Sequence, residues 1–236
     1  MSGDRSHAES QTGGSKAARW AGMSLLVGSV QFVIGMAITQ LGWTTPYSLA
    51  SNYISDLGAA HCGYWTGVNP RYICSPWHGV FDTSIVTLGL LSILAAVLLW
   101  RSWGPGKLRL TGLVLLAASG VGAIGVGLSP EDVNLTVHTL SALLSFAAGS
   151  TALLVFGASL WRYGRWGSGY GTFSALLGLI GWSALVLFVA QVYGPLGVGG
   201  MERLIVAPVL LWAAVVGARL MWMERRGSPG PSSVAS

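Results

Sequence analysis

Between Arg19 and Trp222 the polar positions are few and grouped, and the residues between them form long apolar runs. The stretch from Thr83 to Trp100, for example, holds no charge. A hydrocarbon layer ~30 Å thick is crossed by about 20 helical residues, so runs of this length predict membrane spans. The pattern predicts six: Arg19–Gln40, Trp77–Trp100, Leu108–Leu128, Leu135–Trp161, Gly171–Tyr193 and Leu204–Trp222. The expected fold is an all-α bundle of six transmembrane helices over residues 19–223, with one long loop at about 41–76. Residues 1–18 and 224–236 are polar, rich in Gly and Ser, and read as disordered tails. The first residues lack the short apolar core and cleavage site of a signal peptide, so the first span would serve as an uncleaved anchor.

Composition reinforces the pattern. The chain is 52% hydrophobic and only 9% charged, whereas soluble domains carry about 25% charged residues; its mean hydropathy is +0.61. The net charge of +5 could point to nucleic acid, but its placement argues against that partner. With six spans the termini share a side. That side holds 11 of the 13 basic residues, leaving only Arg71 and Arg203 on the other. The positive-inside rule then predicts a cell-membrane protein with both termini cytoplasmic. The 41–76 loop becomes extracytoplasmic, where disulfides persist. Cys62 and Cys74 both lie in it, and turn signals at Gly63 and Asn69-Pro70 between them favour a loop-closing disulfide. A metal-ligating pair with His61 is the weaker alternative, since the spacing matches no structural zinc pattern.

Sorted by side, the acidic residues and histidines separate. Asp4, His7, Glu9 and Glu224 fall in the tails, and all the others fall at the extracytoplasmic ends of the spans or in the loops there. His78 and Asp82, four apart at the start of the second span, share one helix face. His138, Ser141 and Ser145 form a polar stripe on the fourth span, preceded by Pro130-Glu131-Asp132 and a capping Asn134. Glu202 and Arg203 open the sixth. An ionisable group in the hydrocarbon costs about 2.5–3.5 kcal/mol, so such groups face protein or water. Each also has a structural reading. Helix-end charges can sit among head groups, and Glu202–Arg203 can be a surface pair worth about 0–1 kcal/mol.

On the third span Ser119, Ala123 and Gly127, and Ala118 with Gly122, repeat small residues at four-residue spacing, which lets helices approach closely. No GxSxG, HExxH, phosphate-loop or CxxC motif occurs.

Several blocks carry a family pattern: Asn52-Tyr53-Ile54-Ser55-Asp56-Leu57-Gly58, Ser75-Pro76-Trp77-His78-Gly79-Val80-Phe81-Asp82, Gly125 to Asp132, His138, and Gly200-Met201-Glu202-Arg203 with Pro208 and Trp212. In this order they resemble the domain of unknown function 998 family, six-span membrane proteins of bacteria and archaea. The likeness covers about Ala18 to Trp222. The ISDLG block is also similar to the ISD-TG block of the FRAG/DRAM/SFK membrane proteins, some of which handle lipids. At Asp82 the chain departs from the first family, where Asn is common; the resemblance there implies hydrogen bonding rather than general-base chemistry.

Three functions fit these residues. One is an enzyme acting on a lipid or lipid-linked substrate, with His78, Asp82, His138, Asp56 and Glu131 as catalytic candidates. Its ligand contacts would come from Asn52, Ser55, Ser141, Glu202 and Arg203. His78 and His138 are the candidate ligands of a divalent metal, with carboxylates beside them. The second is a protein that binds or carries a lipid-like or small hydrophobic ligand without chemistry. The third is a structural membrane subunit, in which Asp56 pairs with Arg203 or Arg71 and the polar cluster locks helices together.

Overall fold

The computed structural model describes residues 3–66, 68–102, 106–163 and 168–227. Six helices carry nearly all of it: α1 (Gly3–Leu41), α2 (His78–Ser102), α3 (Lys107–Leu128), α4 (Leu135–Tyr163), α5 (Ser168–Val189) and α6 (Gly197–Gly227). Each contains a segment long and apolar enough to cross a membrane. Their outward faces are apolar too: Val27, Leu90, Val121, Leu140 and Leu176 are all exposed. Such all-round hydrophobicity suits helices that meet lipid on one side and protein on the other. The chain is a multi-pass membrane protein.

Three boundaries differ from the sequence reading. The backbone is helical from Gly3, ahead of the span, because extending an existing helix is far easier than starting one. The other end of that reading is also helical to Gly227; residues 228–236 lie outside the described residues. The sixth helix starts at Gly197 rather than Leu204, which places Glu202 and Arg203 inside it.

The helices pack in chain order into a ring, each against its neighbours, and α6 closes on α1. Small residues set the spacing. A Cβ added to Gly89 of α2 would lie 2.4 Å from the Gly120 carbonyl of α3, and one on Gly122 would lie 2.5 Å from the Ser145 amide of α4. Gly22 of α1 meets Gly217 of α6, which brings the two chain ends to one end of the ring. That end is sealed. Trp212, fully buried, stacks on Phe156 with centroids 4.9 Å apart and donates its indole N–H to Ser174. Around it Leu25, Leu99, Leu113 and Leu153 complete the core.

The opposite end is closed by the segment between α1 and α2. A 3-10 turn at Ser55–Gly58 drops into the ring, where Ile54 and Leu57 pack on Phe32 and Phe81. A hairpin follows, β1 (Gly63–Trp65) against β2 (Arg71–Ile73), in the register Gly63 to Ile73, Tyr64 to Tyr72 and Trp65 to Arg71. Cys62 and Cys74 are joined just beyond its open end, so the expected pairing is present. Gly197 and Gly199 let α6 approach this segment. Gly197 has φ 67, and a Cβ on Gly199 would lie 2.0 Å from the Asn52 carbonyl.

Candidate functional site

The 3-10 turn leaves backbone N–H groups unpaired at its start, and buried backbone donors need partners. Two carboxylates supply them. Asp56 Oδ2 accepts the Tyr53 amide at 3.0 Å and the Asn52 side-chain amide at 3.1 Å. Glu202 accepts the Ile54 amide from across the ring. The polar ISDLG turn is thereby stitched to its own chain and to α6.

Asp56 has no exposed surface, and its charge is met by Arg71. The Arg71 Nε lies 3.0 and 2.8 Å from the two Asp56 oxygens, and Nη2 reaches Asp56 as well. Nη2 also faces Glu131 at 3.4 Å, while Nη1 donates to the Asn69 carbonyl at 3.0 Å. The guanidinium lies 4.3 Å from the centre of the Tyr53 ring. Of the two pairings open to Asp56, the hairpin delivers the one with Arg71. Ser55 donates to the other Glu131 oxygen at 2.9 Å. Burial, with the charge of Asp56 beside it, pushes the Glu131 carboxyl up to about 9. Burial likewise pushes the Tyr53 hydroxyl up to about 12.

Arg203, expected to contact ligand, is tied elsewhere. Its Nη1 donates to the carbonyls of Leu49, Asn52 and Gly199 at 3.1, 2.9 and 2.8 Å, and its Nη2 donates to the Tyr47 hydroxyl. It locks the segment to α6 and makes no ion pair with Glu202 among the described residues. Asn52 is a structural link as well, accepting the Ser48 amide at 3.0 Å.

Beside this lattice is a cavity of about 610 Å³. One end is lined by Tyr53, Trp65, Arg71, Glu131 and Tyr193. Its walls are apolar residues of α4 and α5: Leu135, Leu143, Phe146, Leu185, Phe188 and Val189. The reason for the gap lies in the small residues. Gly157 packs on Gly171, Gly178 on Leu154 and Gly181 on Ser150, but past Gly181 the facing side chains are bulky and the two helices separate. Leu135, Thr139, Leu143 and Val189, all cavity-lining, are exposed, so the gap faces sideways.

A second, narrow chamber of about 80 Å³ runs beneath the 3-10 turn inside the ring, between Phe32, Phe81, Leu116 and Val206. Ser55, His138 and Glu202 line both spaces. His138 Nδ1 lies 2.9 Å from the Ser129 carbonyl. A carbonyl only accepts, so Nδ1 carries the proton, and Nε2 of the neutral ring is an acceptor.

Other expected residues lie apart. Ser141 packs against Gly125 of α3 and lines neither space. Asp82 stands behind the 3-10 turn, where a Cβ on Gly58 would lie 2.7 Å from its Oδ1. The Nδ1 of His78 is buried with no partner among the described residues, and the residue lines neither space. His78 and His138 thus sit in different surroundings. Among the described residues no three His, Cys, Asp or Glu side chains gather as metal ligands. Asp132 is a clamp: it accepts the amides of Ala60 and His61 at 3.0 and 2.8 Å and pairs with the His61 ring at 2.8 Å. Burial would raise its pKa, but these hydrogen bonds outweigh it and hold the carboxyl below its ordinary value.

Sequence reasoning missed the aromatic lining, Tyr53, Trp65, Phe188 and Tyr193, because interfacial aromatics are ordinary at the ends of spans. For Arg71 a signal existed. It is one of only two basic residues placed on that side of the membrane.

The sequence profile of a family described as "Protein of unknown function (DUF998)" matches residues 26–219. No curated protein and no solved structure matches the chain.

Proposed function

The chain belongs to the DUF998 family, whose description names no reaction, and from its site we propose that it binds an amphipathic, lipid-like molecule at the extracytoplasmic side of the cell membrane. The observation that carries this reading is the sideways cavity between α4 and α5, polar at one end and apolar along its walls. Binding sites are typically concave, largely apolar and provided with a few polar groups that fix orientation. Here the head group would rest against Tyr53, Glu131 and Glu202, with the hydrocarbon between Leu143, Phe146 and Leu185. The orientation rests on the basic residues gathered on the side of the termini and on the cystine in the opposite loop. Passage across the membrane has less support, because the Trp212–Phe156 core fills the other end.

A second reading, an enzyme acting on the same ligand, is favoured by one observation. The acceptor Nε2 of His138 shares its cavity with two carboxyl groups, the material of acid–base catalysis.

The test is lipid extraction from the full chain purified in mild detergent, followed by mass spectrometry. Ala142→Trp fills the cavity and should lower retained lipid about tenfold, the effect of losing ~1.4 kcal/mol. Leu176→Trp, on the outward face of α5, should leave retention unchanged. Equal retention by wild type and Ala142→Trp would sink the proposal. For the second reading, conversion of the bound lipid should occur over time in wild type and stop in His138→Gln.

A further inference from the structure

The same cavity constrains the head group it takes, a deduction that rests on the lipid-binding reading above. Its inner polar groups are acceptors. His138, 7% exposed, spends its Nδ1–H on Ser129 and keeps the Nε2 lone pair. Glu202, 6% exposed, gives one oxygen to the Ile54 amide. Its other oxygen has no hydrogen-bond partner among the described residues. Both side chains line the wide cavity and the chamber below it.

The charged donor and the inner hydroxyl, in contrast, are engaged, while the phenol O–H groups of Tyr53 and Tyr193 have no hydrogen-bond partner among the described residues and can meet the oxygen of a hydroxyl as well. Every nitrogen of Arg71 already donates: Nε to Asp56, Nη1 to Asn69, and Nη2 to Asp56 and Glu131. The Ser55 hydroxyl is given to Glu131. An anionic head group would meet carboxyl oxygens and one guanidinium already neutralised by a fully buried Asp56. A quaternary ammonium wants open aromatic faces. Here Arg71 already lies 4.3 Å from the Tyr53 centroid and 5.8 Å from that of Trp65. With the buried Glu131 carboxyl neutral, the charges bonded to residues 52–56 balance without a ligand, Asp56 and Glu202 against Arg71 and Arg203. An ion of either sign would break that balance in a region with little water to screen it.

We infer that the cavity takes an uncharged, hydroxyl-bearing head group, the alcohol of a neutral lipid or glycolipid, whose O–H donates to His138 Nε2 and to the open oxygen of Glu202. Dispersion and apolar burial between α4 and α5 hold the chains, while the acceptors select the head. A hydroxyl removed from water into such a site needs its hydrogen bonds met, and a head group without a donor leaves the two acceptors unpaired.

The experiment uses the full chain in nanodiscs and three lipids with identical dioleoyl chains: dioleoylglycerol, dioleoyl phosphatidic acid and a dioleoyl trimethylammonium lipid. Native mass spectrometry reads their relative dissociation constants. Dioleoylglycerol should bind at least about tenfold tighter than either charged lipid. His138→Phe, which removes the acceptor, should erase most of that preference. Should this variant fail to fold, Glu202→Gln replaces an acceptor with a donor and should shift selection toward phosphatidic acid. Equal or tighter binding of either charged lipid overturns the head-group inference while leaving the lipid site intact. If Ala142→Trp displaces none of the three, the lipid site itself is what fails.

Discussion

Asp56 shows how one buried charge is made tolerable. Removing a carboxylate from water costs several kcal/mol, and only a close counter-charge with further hydrogen bonds offsets it. Arg71, the Tyr53 amide and the Asn52 side chain supply both. Glu131, which faces the same Arg71, is treated differently: burial and the Asp56 charge favour its neutral form up to about pH 9. A carboxyl raised from 4.5 in this way stabilises the fold fully below about pH 4.5, and its contribution is lost as pH rises toward about 9. Glu131→Gln keeps the shape and cannot ionise. Thermal denaturation should therefore find the variant gaining on wild type as pH rises from 5 to 9. Parallel pH profiles for the two proteins would mean that Glu131 is ionised in the fold. The cost of polar groups in hydrocarbon is why Asp56, Glu131, His138 and Glu202 were legible from sequence. Ser141 was misplaced because it occupies the same stripe as His138, and spacing alone does not say which neighbour a stripe faces.

Among the elements, the hairpin has the largest task for its size. Two strands of three residues are too short to be stable alone, yet β2 holds the arginine that neutralises Asp56. The Cys62–Cys74 bond closes this hairpin over a separation of 12 residues. In the chain-entropy account a loop of that size is stabilised by about 3 kcal/mol. Reduction, or Cys62→Ser with Cys74→Ser, should speed amide hydrogen exchange across residues 63–73 and lower the melting temperature. Unchanged exchange would show that the Arg71 contacts hold the hairpin unaided. The start of α6 teaches the opposite lesson about local signals. Gly197-Val198-Gly199-Gly200 reads as loop because glycine is a poor helix former. Contact with Ala50 and Asn52 overrides that tendency, since any larger residue would hold the backbones apart.

At the scale of the whole molecule, the ring has two unlike ends. Aromatic and aliphatic packing fills the end that carries the termini, while the other holds the polar lattice and both cavities. That asymmetry gives the proposed orientation a direct check. Tyr64 is 68% exposed on β1. Tyr64→Cys should be labelled in intact cells by a membrane-impermeant thiol reagent, whereas a reporter fused to the carboxyl terminus should be active only in the cytoplasm. The reverse pattern would turn the molecule over and place the cavity in the inner leaflet.

Span number, fold class and the end at which the ionisable residues gather were all determined by sequence alone. They follow from transfer free energies that act residue by residue: an apolar run of about 20 residues crosses, and a charge stays at its edge. The cystine was legible for a related reason, since two cysteines in one loop have few alternatives. What tertiary structure decided is which polar groups neutralise one another and which remain open. Arg71 meets Asp56 across 15 residues, and Glu202 meets Ile54 across 148. Those separations depend on how the ring closes and how the hairpin folds back. The gap between α4 and α5 likewise arises where small residues stop facing one another, a property of two helices together that neither run displays by itself.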